Sequence, residues 1–147
     1  MKKISKRNFL NLGDKRTLTK TMRSSVNLCY KRPRKKRHYV ALLCLIACGI
    51  DGLNRGEKSA YINTLKRYFP DLCKELGALE FYSKYRNGIV HEFTPKKGYA
   101  IVENHEINGK YVDDVCIEEK DRKIKFRGLN MDRLVKDFLN YLGQLEK

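Results

Sequence analysis

The chain has 147 residues and a formal net charge of +15, with 41% hydrophobic and 33% charged residues. That length suits one compact domain and excludes two of ordinary size, and the lack of any GxxxxGK[ST] or GxGxxG stretch removes phosphate-cradling loops from consideration. Charge is the uneven quantity: residues 1 to 38 hold 14 Lys/Arg against the single acid Asp14, so the remainder is close to neutral.

In chain order, the basic segment comes first. The run Lys31, Arg32, Pro33, Arg34, Lys35, Lys36 and Arg37 cannot bury enough apolar surface to offset its ordering entropy. Residues 1 to 37 are therefore expected to form a tail, disordered or only locally helical, ahead of a domain at 38 to 147. Its plain role is to solubilise. The concentration of charge also makes Lys31, Arg32, Arg34, Lys35, Lys36 and Arg37 candidates for contact with a polyanion such as RNA.

From about Lys36 to Leu53 the pattern is apolar on nearly every side, which predicts a central helix ending at Asp51-Gly52. Within it, Leu45-Ile46-Ala47-Cys48 has the look of a lipoprotein cleavage box. About 38 residues precede the apolar run, however, and it is too short to span a bilayer. A buried helix in a cytoplasmic protein, with no membrane attachment, is the expectation; export with a lipid anchor is the alternative. The five cysteines, Cys29, Cys44, Cys48, Cys73 and Cys116, include no CxxC pair or Cys/His cluster, so free buried thiols are expected instead of disulfides or zinc.

A second helix is predicted over Glu57 to Phe69, with Ala60, Tyr61, Leu65 and Tyr68 on one stripe and Pro70 at its end. A short turn follows at Leu72 to Leu76, stopped by Gly77. The third long helix reads from Ala78 to Phe93, and Pro95 stops it. The period then changes. Tyr99 to Glu103, Lys110 to Ile117 and Lys123 to Arg127 alternate like strands, with Asn108-Gly109 and Lys120-Asp121-Arg122 as turn signals. Asn130 can cap a last helix from Met131 to about Leu145. The fold class predicted is predominantly α, of α+β type: a helical bundle with a small antiparallel β-meander before the last helix.

The third helix carries the chemistry. Arg86, Asn87 and His91 set a guanidinium, an amide and an imidazole within two helical turns. Histidine titrates near neutral pH and moves protons, while a guanidinium stays charged and braces phosphate through paired hydrogen bonds. Asn87 and His91, four apart, share a face, so the amide can orient the ring. Arg86 and His91 are about 140° apart around an ideal helix, so the long arginine stem must reach around, or the two groups converge from two copies of the chain. Gly88 costs this helix on the order of 1 kcal/mol relative to alanine, which points to close approach of another helix or of a phosphate. The plain alternative is an Arg86 paired with a carboxylate and a His91 with no chemical role.

The segment Tyr85-Arg86-Asn87-Gly88-Ile89-Val90-His91 resembles the signature of the HEPN superfamily, in which an arginine is followed by a polar residue and, four to six positions after the arginine, by a histidine. The order of elements is also similar. The resemblance implies a mostly helical, commonly dimeric fold. It further implies either a metal-independent endoribonuclease of toxin–antitoxin or defence type, with RNA, a second copy and an antitoxin as partners, or a non-catalytic RNA- or protein-binding module. On this reading Arg86 and His91 match the catalytic pair, Asn87 matches the polar position, and no cofactor or metal is required. Asp113-Asp114 and Glu118-Glu119 read as solvated faces or turns and His105 as solvent-facing, not as a metal site. Cys44 and Cys48 lie in the most apolar helix, where thiols are usually inert.

Overall fold

The computed structural model describes residues 15–31, 33 and 37–147. Helix α1 spans Lys15–Tyr30, α2 Tyr39–Leu53, α3 Lys58–Tyr68 and α4 Pro70–Glu75. Ala78–Glu80, a π-helical segment Phe81–Arg86 and Asn87–Glu92 then run on without a break as one helix, α5. Strand β1 is Tyr99–Val102, β2 Val112–Glu119 and β3 Arg122–Asn130, and α6, Met131–Leu145, closes the fold. The molecule is thus mostly helical with a small sheet. No single helix among the described residues is long and apolar enough to cross a membrane.

Helix α2 sits at the centre, as its all-round apolar sequence requires. Leu42, Leu43, Ile46, Ala47 and Ile50 are each fully buried, and α1, α3, α5 and α6 all pack on it. The Leu45–Cys48 stretch is therefore the middle of a core helix. Cysteine burial is less complete than expected: Cys29, Cys44 and Cys73 are half-buried, while Cys48 and Cys116 are exposed.

The basic segment needs correction. Residues 15–30, expected within a tail, form α1 and dock on α2 and α6. Leu18, Met22, Val26 and Cys29 recur at helical spacing and join the core, with Val26 fully buried, so the cations are left to the other faces. The fit is close: a Cβ on Gly49 of α2 would lie 3.1 Å from Met22 Sδ and 3.1 Å from Phe138 Cζ. Charge composition alone concealed this apolar stripe.

A polar clasp fixes the far end of α1. Tyr30 OH donates to Asp132 Oδ1 at 2.7 Å, and Tyr39 OH approaches the same oxygen at 3.3 Å. Arg37 Nε donates to the Tyr30 carbonyl at 2.9 Å, its Nη1 lies 3.4 Å from Asp132, and its guanidinium stands 4.3 Å over the Tyr30 ring.

The sheet is mixed, not the antiparallel meander expected. Its order is β1-β3-β2, with β1 parallel to β3 and β2 antiparallel to β3. The reason lies after β1. Asn108-Gly109, read as a hairpin turn, instead ends a 3-10 turn, Asn104–Ile107, whose start is held by a reciprocal cap between Glu103 and Glu106. Asn104 N–H donates to Asp132 Oδ2 at 2.7 Å, and Asn130 Nδ2 donates to Asn104 Oδ1 at 2.8 Å. The chain is thereby carried across the head of α6 instead of back along β1. Tyr85 OH lies 2.9 Å from the carbonyl oxygens of both Ala100 and Arg127, and seats β1 beside β3.

The β2–β3 hairpin turns at Lys120 and Asp121, both in the left-handed region at φ 49° and 63°, as a two-residue hairpin turn demands. Strand β2 carries Asp113, Asp114, Glu118 and Glu119 and no base, and faces β3 with Arg122, Lys123, Lys125 and Arg127. Lys125 Nζ sits 3.1 Å from Asp114. Asn130 caps α6 as predicted, its side chain accepting from Arg133 N–H at 3.1 Å.

Candidate functional site

The site lies where α5 crosses α2. At the π segment the Asn87 N–H bonds five residues back, to the Tyr82 carbonyl. Such segments are rare and concentrate where a side chain must be re-aimed. Here Arg86 is brought over Tyr82, its guanidinium 4.9 Å from the ring centroid.

Arg86 is held on three sides. Its Nε donates to Asp51 Oδ2 at 2.8 Å, its Nη2 meets the same oxygen at 2.7 Å, and its Nη1 donates to Asn87 Oδ1 at 2.7 Å. Burial opposes the charge, but the bond and attraction to Asp51 outweigh it, so the guanidinium is held above its ordinary range. A guanidinium has five N–H donors. These three bonds leave one donor on each Nη. Since the side chain keeps 16% exposure, that fork suits a bidentate oxyanion.

Asp51 is the residue sequence reasoning missed. The sequence marks it only as a helix stop, 35 positions from Arg86, and its one further signal is a carboxylate inside the most apolar helix. Its Oδ1 is buried without a hydrogen-bond partner, which leaves part of the desolvation cost of this carboxylate unrecovered.

Asn87 is turned toward Arg86, so its carbonyl oxygen does not orient His91 as expected. His91 is exposed in the last turn of α5 and makes no hydrogen bond or ion pair among the described residues. The motif is thus split: a fixed, half-buried arginine with its amide, and a free imidazole farther round the helix.

Gly88 is explained by the chain itself. A Cβ there would lie 2.4 Å from Thr94 O, 2.8 Å from Lys96 N and 2.9 Å from Pro95 Cα. The chain reverses at Phe93, φ 58°, folds back over Gly88 and is tied by Lys96 N–H to the Lys84 carbonyl at 2.8 Å. The close neighbour is neither a separate helix nor a phosphate.

Of the expected RNA-contacting cations, Arg32, Arg34, Lys35 and Lys36 lie outside the described residues. Lys31 is exposed, and Arg37 engages the Tyr30–Asp132 clasp through Nε and Nη1, with its Nη2 outside it. Cys48, beside the site on α2, has its thiol pushed up to about 11 by partial desolvation and by Cys44, which keeps it a poor nucleophile at neutral pH. His105 is exposed beside Glu103 at 3.5 Å. No family model, curated protein or solved structure matches this chain.

Proposed function

We propose that this chain is a HEPN-like, RNA-directed protein that cuts RNA without a metal. The observation that carries the reading is the pair of unassigned donors on an immobilised Arg86, on the same helix as an unpartnered His91. His91 removes the 2′-hydroxyl proton; the oxygen attacks the adjacent phosphorus, the bond to the 5′-oxygen breaks, and that oxygen takes a proton. The products are a 2′,3′-cyclic phosphate and a 5′-hydroxyl. Arg86 meets the charge that develops on the phosphoryl oxygens, with no reorganisation because Asp51 and Asn87 already fix its plane. One imidazole cannot be base and acid at once, and about 140° separates it from Arg86 on an ideal helix. A second copy of the chain, related by a two-fold axis, supplies the other proton carrier.

The Asp51 ion pair favours a second reading, in which Arg86 serves the fold and the surface grips RNA or protein without turnover. Purified protein incubated with mixed RNA in EDTA separates the two. Cyclic-phosphate ends that vanish with His91→Ala support cleavage; RNA binding without cut ends supports the binding module. Recovery of cutting on mixing His91→Ala with Arg86→Ala chains supports a site shared between copies.

A further inference from the structure

Phe93 carries two unfavourable features at once. Its backbone sits at φ 58°, ψ 21°, at the C-terminal cap of α5, a left-handed position where a Cβ is penalised and glycine or asparagine is favoured. The residue is 74% exposed, and its ring meets no other ring among the described residues. A residue that costs the fold on both counts draws attention to what its ring can touch.

The ring forms one wall of an open groove. The facing wall comes from the start of α2, with His38, Tyr39, Val40, Cys44 and Leu45. No carboxylate lines this groove, and Arg37 stands on its rim as the last of six cations between Lys31 and Arg37. We infer that the Phe93 groove is a stacking platform for an unpaired RNA base, with the phosphates of the same strand along the Arg37–His38 side. The inference rests on the RNA reading of Arg86 and His91 and specifies where the strand lies, two residues beyond His91.

Two halves of the surface call for the two halves of a nucleotide. An exposed aromatic face takes any base, since every base has a π-face, and a cationic rim takes the backbone. A second copy fits poorly. A two-fold contact lays a patch on itself, so the Arg37 side of one copy would face the same arginine of the other.

The chain has no tryptophan, so Phe93→Trp introduces a single fluorescent reporter. A single-stranded oligoribonucleotide is expected to quench it, and an abasic strand of equal length to quench it far less. Phe93→Gly is expected to weaken the base-bearing strand about tenfold and leave the abasic strand unchanged, while the melting temperature rises by a few degrees, on the order expected for relief of one left-handed strain. Equal losses on both strands, or none on either, overturn the platform and leave the RNA reading intact. Failure of the unmodified chain to bind either strand overturns both. Loss of self-association in Phe93→Gly with unchanged RNA binding assigns the groove to a second copy and overturns the platform.

Discussion

Arg86 and Asp51 meet at 2.7 Å across the α5–α2 contact, with side chains 16% and 17% exposed. Removing one partner of such a pair strands the other's charge in a poorly solvated place. Arg86→Ala is therefore expected to lower stability by about 3 kcal/mol. His91→Ala, on an exposed position with no partner, should change it by less than about 0.5 kcal/mol. Urea denaturation of the two variants checks this, and similar small effects would remove Asp51 as an anchor. The contrast also governs how activity is read: loss of cutting in Arg86→Ala mixes folding with chemistry, whereas loss in His91→Ala does not.

Gly88 is a second position where opposing effects can be weighed. Helix propensity favours alanine by about 1 kcal/mol, yet the added Cβ would meet the backbone of Thr94, Pro95 and Lys96, which cannot swing aside as a side-chain tip does. Overpacking should win, and Gly88→Ala is expected to destabilise by about 1–3 kcal/mol. A higher melting temperature for this variant would refute the close approach.

Asn130 is fully buried and makes three bonds, accepting from Arg133 N–H and donating to Asn104 Oδ1 and the Lys110 carbonyl. Asn130→Ala removes a helix cap and leaves buried acceptors unpaired, at a cost of about 2–3 kcal/mol. Asn130→Asp keeps the cap acceptor but loses the donors and turns a buried carboxylate toward Asn104 Oδ1 and the Lys110 carbonyl, so its loss adds desolvation and repulsion to the two broken bonds. Chemical denaturation combined with amide exchange at Ile107 and Lys110 distinguishes the loss of the cap from the loss of the 3-10 turn.

Alkaline pH should unfold the protein through its tyrosines. Tyr30, Tyr39, Tyr61, Tyr85, Tyr99, Tyr111 and Tyr141 all titrate above their ordinary value; for Tyr30, burial and then its bond to Asp132 push it up to about 12. A raised value means the folded chain holds the proton more tightly than the unfolded chain. The stabilisation is then complete below about pH 10, the unfolded tyrosine value, and is lost as pH climbs through the folded ones. Stability measured from pH 8 to 12 should fall with increasing slope above pH 10, and Tyr85→Phe should make that slope shallower. An unchanged slope would mean that Tyr85 titrates the same way folded and unfolded.

Local signals carried most of the helical architecture. Asn130 announced a cap, the stripe from Leu134 to Leu145 announced its helix, and the all-round apolar run announced the centre. Sheet order was not local, because it depends on Tyr85 OH reaching two carbonyls 15 and 42 positions away. The same is true of the site. Arg86, Asn87 and His91 were visible as a spacing, but Asp51 gained its meaning only when α5 crossed α2. Helix α1 went unread for a different reason: its four apolar positions were outweighed by the charge between them.

The charge arrangement of the β2–β3 hairpin bears on how this molecule meets its own copies at high concentration. Strand β2 is an outer edge whose unpaired backbone groups offer a template for sheet growth. Two such edges brought together antiparallel would place Asp113 and Asp114 of one opposite Glu118 and Glu119 of the other. Asp114 is paired with Lys125 and Arg127 of β3, on the inner side, and Asp113 with Lys110, while no ion pair among the described residues offsets Glu118 or Glu119. Mutual repulsion at the rim therefore guards an otherwise adhesive border against fibre-like stacking, in a chain whose overall charge has the opposite sign.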